Sequence, residues 1–267
     1  MKKMNNISFP ALGIDFNINP VAFTLPVIGE VRWYGIIIGL GILLAFLYCS
    51  YIAKKEDVSP DVVADLLIYA LPISVICART YYVAFSWDSY KDNLSDVFKI
   101  WEGGIAIYGA IIGAVITGLV FCKFKKIKTL KLFDICCQGL MIGQLIGRWG
   151  NFANAEAFGG YASNFLGMSI NGNAPVHPTF LYESLWNLVG FIILAFLHKK
   201  KPFDGFTFFS YITWYGVGRF FIEGMRADSL YMGDLRVSQL VAVLCVIGGV
   251  CALHFLTETA LPDRDVK

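Results

Sequence analysis

Charged side chains interrupt two of the most apolar stretches of this 267-residue sequence. Arg148 lies in GRWGNFANAEAFGG, and Arg219 and Glu223 lie in YGVGRFFIEGMR. A guanidinium group stays charged at every physiological pH and binds phosphate through two parallel hydrogen bonds. It can also stabilise negative charge that develops during a reaction. These residue types therefore predict a site for an anion that carries a phosphate.

Amides, glycines and tyrosines accompany these charges. The side chains of Asn151 and Asn154 can hold hydroxyl groups or ester carbonyls of a ligand. Glycines let the chain turn and approach a ligand closely, and four of them flank the two amides: Gly147, Gly150, Gly159 and Gly160. Tyr215, Arg219 and Glu223 recur at i, i+4 spacing, so one helical face carries all three.

Two glutamates leave alternatives open. Glu183 is expected to pair with either Arg148 or Arg79, and the sequence does not decide between them. Glu223 either forms a structural ion pair with Arg219 or takes part in the chemistry.

The composition indicates which elements must position these groups. Hydrophobic residues make up 57% of the chain and charged residues 16%, and the mean hydropathy is +0.61, which is far from the balance of a soluble domain. Apolar runs of about 18 residues or more match helices that cross a bilayer. The sequence therefore predicts an all-α membrane protein that forms a single domain, 1–267. Its seven transmembrane helices are expected near 33–53, 62–84, 103–122, 132–149, 179–197, 206–225 and 237–256.

The basic residues predict how these helices are oriented. Lysine-rich segments follow the first, third and fifth helices, and Arg264 and Lys267 follow the seventh. By the positive-inside rule these segments are cytoplasmic, so the N-terminus lies outside and the C-terminus inside. The first helix is expected to act as the insertion signal, because the N-terminal residues lack the apolar core of a cleavable signal peptide. The segment 151–178, between the fourth and fifth helices, is predicted to be a small external subdomain or lid.

This topology brings polar groups from five helices to one depth. Arg79, Arg148 and Arg219 fall in the outer halves of their helices, and Tyr34 and Tyr108 fall near the outer starts of theirs. An arginine in hydrocarbon is costly unless it pairs, snorkels or faces water, so each is a functional candidate. The residues alone therefore predict a phospholipid headgroup, bound at the outer leaflet.

The seven cysteines do not indicate a redox or metal site. Nearly all lie in apolar segments and none has CxxC spacing, so buried, inert thiols are expected. Carboxylates and histidines likewise lack the spacing of metal ligands. We therefore predict no metal, no cofactor and no nucleic-acid partner.

The stretch GRWGNFANAEAFGG resembles the signature of the bacterial prolipoprotein diacylglyceryl transferase family, Gly-Arg-x-Gly-Asn-Phe-x-Asn-x-Glu-x-x-Gly, at every fixed position. Companion motifs follow in the family's order along nearly the whole chain: RWYG, AR at Arg79, WEGGIAIYGAIIG, HPTFLYE and YGVGRFFIE. The resemblance implies a seven-helix, multi-pass enzyme of the bacterial cytoplasmic (inner) membrane. It also implies a reaction that moves the diacylglyceryl group of phosphatidylglycerol to the lipobox cysteine of a prolipoprotein signal peptide. A thioether forms, and glycerol-1-phosphate is released.

The resemblance also implies roles for individual residues. Arg148 and Arg219 are expected to be essential, and one of them stabilises the leaving group. Glu156 or Glu223 is expected either to accept the thiol proton or to orient an arginine, and the sequence does not identify the base. The predicted catalytic residues are Arg148, Arg219, Tyr108, Glu156 and Glu223. The residues predicted to bind phosphatidylglycerol are Arg148, Asn151, Asn154, Gly159, Tyr34, Arg79 and Tyr215.

One position departs from the family pattern. Most members have His-Gly-Gly in the third helix, where the histidine is a proposed base, whereas this chain has Tyr108, Gly109 and Ala110. We expect Tyr108 to donate a hydrogen bond there, because the arginines and the rest of the pattern are intact. Weakened activity is the alternative.

A membrane transporter or channel for a small anionic solute is the main alternative function, since such proteins also bring charges into a helix bundle. Transporters usually show inverted repeats and a site near the membrane midplane. Here the polar groups gather on one side and no repeat is evident. A structural scaffold would not need so many intramembrane arginines. The acyl-chain preference, the oligomeric state and the order of substrate binding stay open.

Overall fold

The structure, a computed structural model, describes residues 4–26 and 29–260, apart from the side chain of Glu102. It is mostly helical, and its seven long helices agree with the predicted positions to within several residues. They are α1 (Trp33–Lys55), α2 (Pro60–Phe85), α3 (Ile107–Lys125), α4 (Thr129–Asn154), α5 (Thr179–His198), α6 (Phe206–Met225) and α7 (Val237–Ala260). Six of them, all except α6, are long and apolar enough to cross a membrane. In α6, Arg219 and Glu223 join several tyrosines and threonines, which lower its mean hydropathy.

In the described part of the chain, seven short strands accompany the helices, and the prediction of an all-α chain did not include them. They are β1 (Asn5–Phe9), β2 (Ile14–Ile18), β3 (Val21–Leu25), β4 (Gly29–Arg32), β5 (Ser169–Ile170), β6 (Tyr231–Met232) and β7 (Leu235–Arg236). All pairings are antiparallel: the first sheet has the order β2-β1-β5, β3 pairs with β4, and β6 pairs with β7.

A small apolar core lies under the first sheet. Ile7 and Phe9 are two residues apart on β1, so both face the same side of the sheet. They pack against Met168, Ile170 and Phe180. This core fastens the N-terminal strands to the segment before α5 and to the first turn of α5.

Contacts divide the chain into two compact units. One unit comprises the described parts of Met1–Tyr48 and Asp134–Lys267, and the other is Cys49–Phe133. The first unit contains the strands, most of α4, and α5 to α7. The second contains α2 and α3.

Two tryptophans join α5 to α6. Trp186 and Trp214 stack with ring centroids 4.3 Å apart, and each indole N–H donates to the backbone carbonyl of the other residue at 3.1 Å. The rings fit because glycines lie beneath them. A Cβ at Gly190 would come within 2.2 Å of Trp214 Nε1, and a Cβ at Gly218 within 2.2 Å of Trp186 Nε1. Since Arg219 follows Gly218 directly, this contact also fixes where Arg219 lies relative to α5.

Glycines also allow α3 to approach α2 within the unit Cys49–Phe133. A Cβ at Gly109 would lie 2.4 Å from the carbonyl oxygen of Cys77, and a Cβ at Gly113 would lie 2.9 Å from Cys77 Cβ. Small residues four apart are typical of closely packed membrane helices. Gly109 follows Tyr108, so the same contact positions the start of α3.

Replacing Gly249 on α7 by alanine should destabilise the fold. A Cβ there would lie 2.3 Å from Thr213 Oγ1 and 3.0 Å from the carbonyl oxygen of Phe209, both on α6. Overpacking costs about 1–3 kcal/mol, which outweighs the roughly 1 kcal/mol that alanine gains over glycine in a helix. Gly248→Ala is the matched control, because its Cβ would meet no atom of the described residues within 4 Å. The melting temperature in detergent should fall only for Gly249→Ala, and equal values for the two variants would contradict this packing.

Candidate active site

Glu183 is the centre of an ion-pair cluster that joins three arginines. It lies just inside α5, and only 6% of it is exposed. Its Oε2 binds Nη2 of Arg148, near the end of α4. Its Oε1 lies 3.5 Å from Arg219 Nη1 and 3.4 Å from Arg226 Nη1. Of the partners that the sequence left open for Glu183, Arg148 is observed, and the predicted proximity of Arg148 to Arg219 is confirmed.

A second buried carboxylate, Glu223, completes the cluster. Only 1% of it is exposed, and its Oε2 lies 2.7 Å from Arg219 Nη2 and 3.9 Å from Arg226 Nε. The ion pair expected from the i, i+4 spacing is therefore present. Arg236, at the end of β7, donates to the backbone carbonyl of Glu223. This bond holds the C-terminal turn of α6 against the β6–β7 hairpin.

The cluster contains more positive than negative charge in its interior, since three guanidinium groups face two buried carboxylates. Asp228 supplies the balancing charge from the rim, where it binds Arg226 through hydrogen bonds of 3.0 and 2.8 Å. Desolvation lowers the pKa of Arg226, but the hydrogen bonds and charge of Asp228, with the charges of Glu183 and Glu223, outweigh it and raise that pKa. The outermost counter-charge of the three guanidinium groups therefore belongs to Asp228.

The end of α4 forms a tight turn that carries Glu156. Two backbone hydrogen bonds of 3.0 Å close it, from Ala155 N to the Phe152 carbonyl and from Glu156 N to the Asn151 carbonyl. This Schellman pattern requires a left-handed residue, usually glycine, and here Ala155 adopts it at φ 54°. Ala157 is also left-handed, at φ 55°. Because alanine adopts this conformation at an energetic cost, the surrounding contacts must hold the turn in place.

Side chains of this turn connect Glu156 to the arginines. Asn151 and Asn154 each donate an amide N–H to Glu156 Oε1, at 3.1 and 3.3 Å. Arg148 Nη1 in turn lies 3.4 Å from Asn151 Oδ1. The buried Oδ1 of Asn154 has no hydrogen-bond partner in the part of the chain that the structure describes. Four predicted site residues thus form one continuous polar network, and one of its acceptors has no partner among the described residues.

Gly159 fastens the segment after the turn to both neighbouring helices. Its N–H donates to the carbonyl of His177 at 2.9 Å, and it forms an isolated β-bridge with Arg226. A Cβ at this position would lie 2.6 Å from the carbonyl oxygen of Met225. The requirement for glycine here therefore follows from backbone packing. The predicted contact of Gly159 with lipid stays a prediction.

Two predicted tyrosines border the cluster. Tyr34, the second residue of α1, packs its ring on Gly150, where a Cβ would come within 2.8 Å of the ring. Tyr215, one turn before Arg219, lines with Glu183 a void of about 10 Å³, which is roughly the room that one water molecule needs. The arginines are thus paired with carboxylates and remain partly exposed.

A profile of the prolipoprotein diacylglyceryl transferase family matches residues 20–255, which is most of the chain. The chain belongs to this family. Among its curated relatives is a phosphatidylglycerol–prolipoprotein diacylglyceryl transferase of Lysinibacillus sphaericus (strain C3-41), which is 49% identical over 89% of this chain and 92% of the relative. A protein of the same name from Listeria innocua is 49% identical, with 86% and 87% covered. Another, from Finegoldia magna, is 44% identical, with 92% and 94% covered.

Arg79 and Tyr108 are two of the site residues predicted for this family member. Both belong to the unit Cys49–Phe133. Tyr108 is the second residue of α3 and is partly buried. It occupies the position at which the family pattern has histidine. Its role in the reaction stays a prediction.

The guanidinium of Arg79 is hydrogen-bonded to backbone carbonyls of its own unit. Only 6% of it is exposed, and its guanidinium lies 5.1 Å from the ring centroid of Tyr90. It donates at 2.5 to 2.8 Å to four backbone carbonyls, those of Asp96, Val97, Gly103 and Gly104. Since a guanidinium has five N–H groups, nearly all are occupied. These contacts favour a structural role for Arg79 over the predicted contact with lipid.

Arg79→Lys should loosen the segment 86–104 while the positive charge is kept. A lysine ammonium is a single point of charge with three donors, so it cannot serve all four carbonyls. Cleavage by trypsin at Lys91 and Lys99 should become severalfold faster, and the apparent affinity for phosphatidylglycerol should change little. Thr80→Ala, at the exposed neighbouring position, is the control. Unchanged cleavage with weaker lipid binding would restore the lipid-contact role.

Sequence reasoning missed two parts of the site. Arg226 shares Glu183 with the predicted arginines, and its i, i+3 distance from Glu223 was the signal. The tryptophan pair was missed as well, although α5 and α6 both contain a Trp-x-x-x-Gly sequence. The sequence does not indicate that Asn154 Oδ1 lacks a hydrogen-bond partner, because the surroundings of this oxygen depend on how the turn closes.

Proposed function

We propose that this chain transfers the diacylglyceryl group of phosphatidylglycerol to the lipobox cysteine thiol of prolipoproteins, with release of glycerol-1-phosphate. The observation that carries the proposal is the cluster in which Arg148, Arg219 and Arg226 share Glu183 beside the signature turn. Guanidinium groups bind phosphate through strong, often paired hydrogen bonds. The names of relatives that are 49% identical support the same reaction.

The headgroup binds by exchange of ion pairs. The side chains of Arg148 and Arg219 are 26% and 18% exposed, so their donors are within reach of a ligand. The side chain of Asp228 is 53% exposed and is the carboxylate most easily displaced. When Asp228 leaves, the interior positive charge is balanced by the phosphate instead. Asn151 then holds a glycerol hydroxyl or an ester carbonyl.

The reaction is a substitution at the glycerol carbon that bears the phosphate ester. The cysteine sulfur forms the new C–S bond as the C–O bond to phosphate breaks, and the oxygen keeps the electron pair. Arg219 or Arg148 stabilises the charge on the departing phosphate. Glu156 accepts the thiol proton because its side chain is exposed, whereas Glu223 is buried and orients Arg219.

Tyr108 donates a hydrogen bond where most family members have histidine. Hydrogen bonds to charged groups contribute about 1.5–3 kcal/mol, so Tyr108→Phe should lower turnover by about tenfold or more. Tyr81→Phe, in the same unit, is the control and should turn over at the wild-type rate. Full activity of Tyr108→Phe would show that the hydroxyl has no part in the reaction.

We further propose that residues 1–267 form a single domain in the bacterial cytoplasmic (inner) membrane, with seven crossings, the N-terminus outside and the C-terminus cytoplasmic. The lysine clusters after α1, α3 and α5 support this orientation. The crossing by α6 is supported by its packing against α5 and α7. Segment 151–178 then lies outside, beginning inside the last turn of α4.

The decisive experiment mixes purified protein, phosphatidylglycerol vesicles and a lipobox peptide. Mass spectrometry should find one diacylglyceryl group on the peptide cysteine, with an equal amount of glycerol-1-phosphate released. Phosphatidylcholine vesicles and a Cys→Ser peptide are the controls. If no adduct forms and the protein instead carries an anionic solute into sealed vesicles, the transporter alternative replaces this proposal.

A further inference from the structure

A polar cavity of about 660 Å³ lies beside the signature turn, apart from the arginine cluster. The end of α4, the strand β5 and the N-terminal strands supply its walls. Four asparagines and one pair of opposite charges line it: Asn5, Asn19, Asn154, Asn171, Glu30 and Arg32. The proposed lipid chemistry uses only one of these residues, Asn154.

Asn154 connects the cavity to the proposed reaction centre. Its Nδ2 donates to Glu156 Oε1 at 3.3 Å, while its Oδ1 is buried and has no partner among the described residues. A buried carbonyl oxygen that lacks a hydrogen bond is costly. Because Asn154 lines the cavity, a ligand that lies against it would be next to the residue proposed to accept the thiol proton.

The lining of the cavity fits an extended peptide. An asparagine side chain both donates and accepts hydrogen bonds, as each peptide group does. Glu30 and Arg32 are two residues apart on β4, so they share one face, and their charges balance. The cavity thus lacks the excess positive charge that would select a phosphate, and its lining is mostly polar, with Pro20, Val21, Ala155 and Ile170 as its apolar members. Its volume lies within the range of ligand sites.

We propose that this cavity binds the residues that directly follow the acceptor cysteine of the prolipoprotein. The inference rests on the proposed function. A signal peptide precedes the cysteine, so the residues after it emerge on the outer side, where the proposed topology also puts the N-terminal strands. The first residue after the cysteine lies against Asn154, and the sulfur is thereby held near Glu156.

Two lipobox peptides test this inference, one ending at the cysteine and one continuing for four neutral polar residues. The wild-type protein should use the longer peptide with a kcat/KM about tenfold higher, as expected from one or two added hydrogen bonds. Val21 lines the cavity, so Val21→Trp narrows it. The variant should lower the kcat/KM for the longer peptide to that for the shorter one. The KM for phosphatidylglycerol should not change. Thr24→Trp, on the same strand and exposed, is the matched control.

If Val21→Trp fails to fold, photo-crosslinking to the wild-type protein tests the same inference. A photoreactive residue two positions after the cysteine should attach to the N-terminal strands or to the segment around Asn171 in the wild-type protein. Equal use of the two peptides by the wild type, or crosslinks only elsewhere, would overturn the inference. So would a Val21→Trp variant that raises the KM for phosphatidylglycerol, since the cavity would then serve the lipid. Absence of a thioether on either peptide would instead count against the proposed function.

Discussion

Arg148→Ala and Arg219→Ala should each lower the rate of thioether formation by about 100- to 1000-fold, because a well-placed donor to a developing oxyanion contributes about 3–4 kcal/mol. Each variant removes a guanidinium that Glu183 holds in the cluster. Initial rates at saturating peptide and phosphatidylglycerol measure the effect. The loss should lie mainly in kcat, since the charge on the phosphate grows as the C–O bond breaks.

Lysine substitutions separate charge from geometry at the same two positions. Arg148→Lys and Arg219→Lys keep the positive charge but lose the planar pair of donors, so they should recover only part of the rate. Lys55→Ala removes an exposed cation at the end of α1 and should leave turnover unchanged. Near-normal turnover of Arg148→Ala would refute its role in stabilising the leaving group.

Glu183→Ala should be the most destabilising single change in the cluster. Removing one partner from a buried ion pair costs about 3–5 kcal/mol, and this carboxylate serves three arginines while only 6% of it is exposed. Unfolding of the detergent-solubilised protein, followed by circular dichroism, measures the loss. Turnover should fall as well, because the arginines are no longer held together.

The matched variants for Glu183 distinguish its charge from its shape. Glu183→Gln keeps the volume and one acceptor oxygen, so its loss should be smaller than that of alanine. Glu258→Ala removes an exposed carboxylate whose one described ion-pair partner is His254, and it should change stability by less than about 0.5 kcal/mol. A Glu183→Ala protein as stable as the wild type would contradict the central position given to this residue.

The helices could be predicted because each contains a long apolar run, and the strands were missed for the opposite reason. β1 to β4 are four or five residues long, too short to register in a search for membrane spans. The alternation of Ile7 and Phe9 on β1 was the available signal. Their burial depends on Met168 and Phe180, more than 150 residues further along the chain, and a local pattern cannot reveal such a partner.

For the candidate site, spacing alone predicted the pair Arg219 and Glu223, because both lie on one helical face. The contacts of Glu183 required knowledge of how α4, α5 and α6 pack, so the sequence left its partner open. Arg79 illustrates the limit of topology. Its depth suggested a lipid contact, whereas its hydrogen bonds go to the backbone of the following segment.

The closed ion pairs of the arginine cluster have a consequence for turnover. If the cluster binds the lipid phosphate as proposed, its arginines are already paired with the protein's own carboxylates, so free inorganic phosphate must compete with counter-ions that never diffuse away. Phosphatidylglycerol gains additional affinity from its acyl chains. Glycerol-1-phosphate lacks these chains once the C–O bond has broken, so it binds more weakly. In the proposed mechanism, Asp228 then returns to Arg226 as the product leaves, so the site needs no separate opening step.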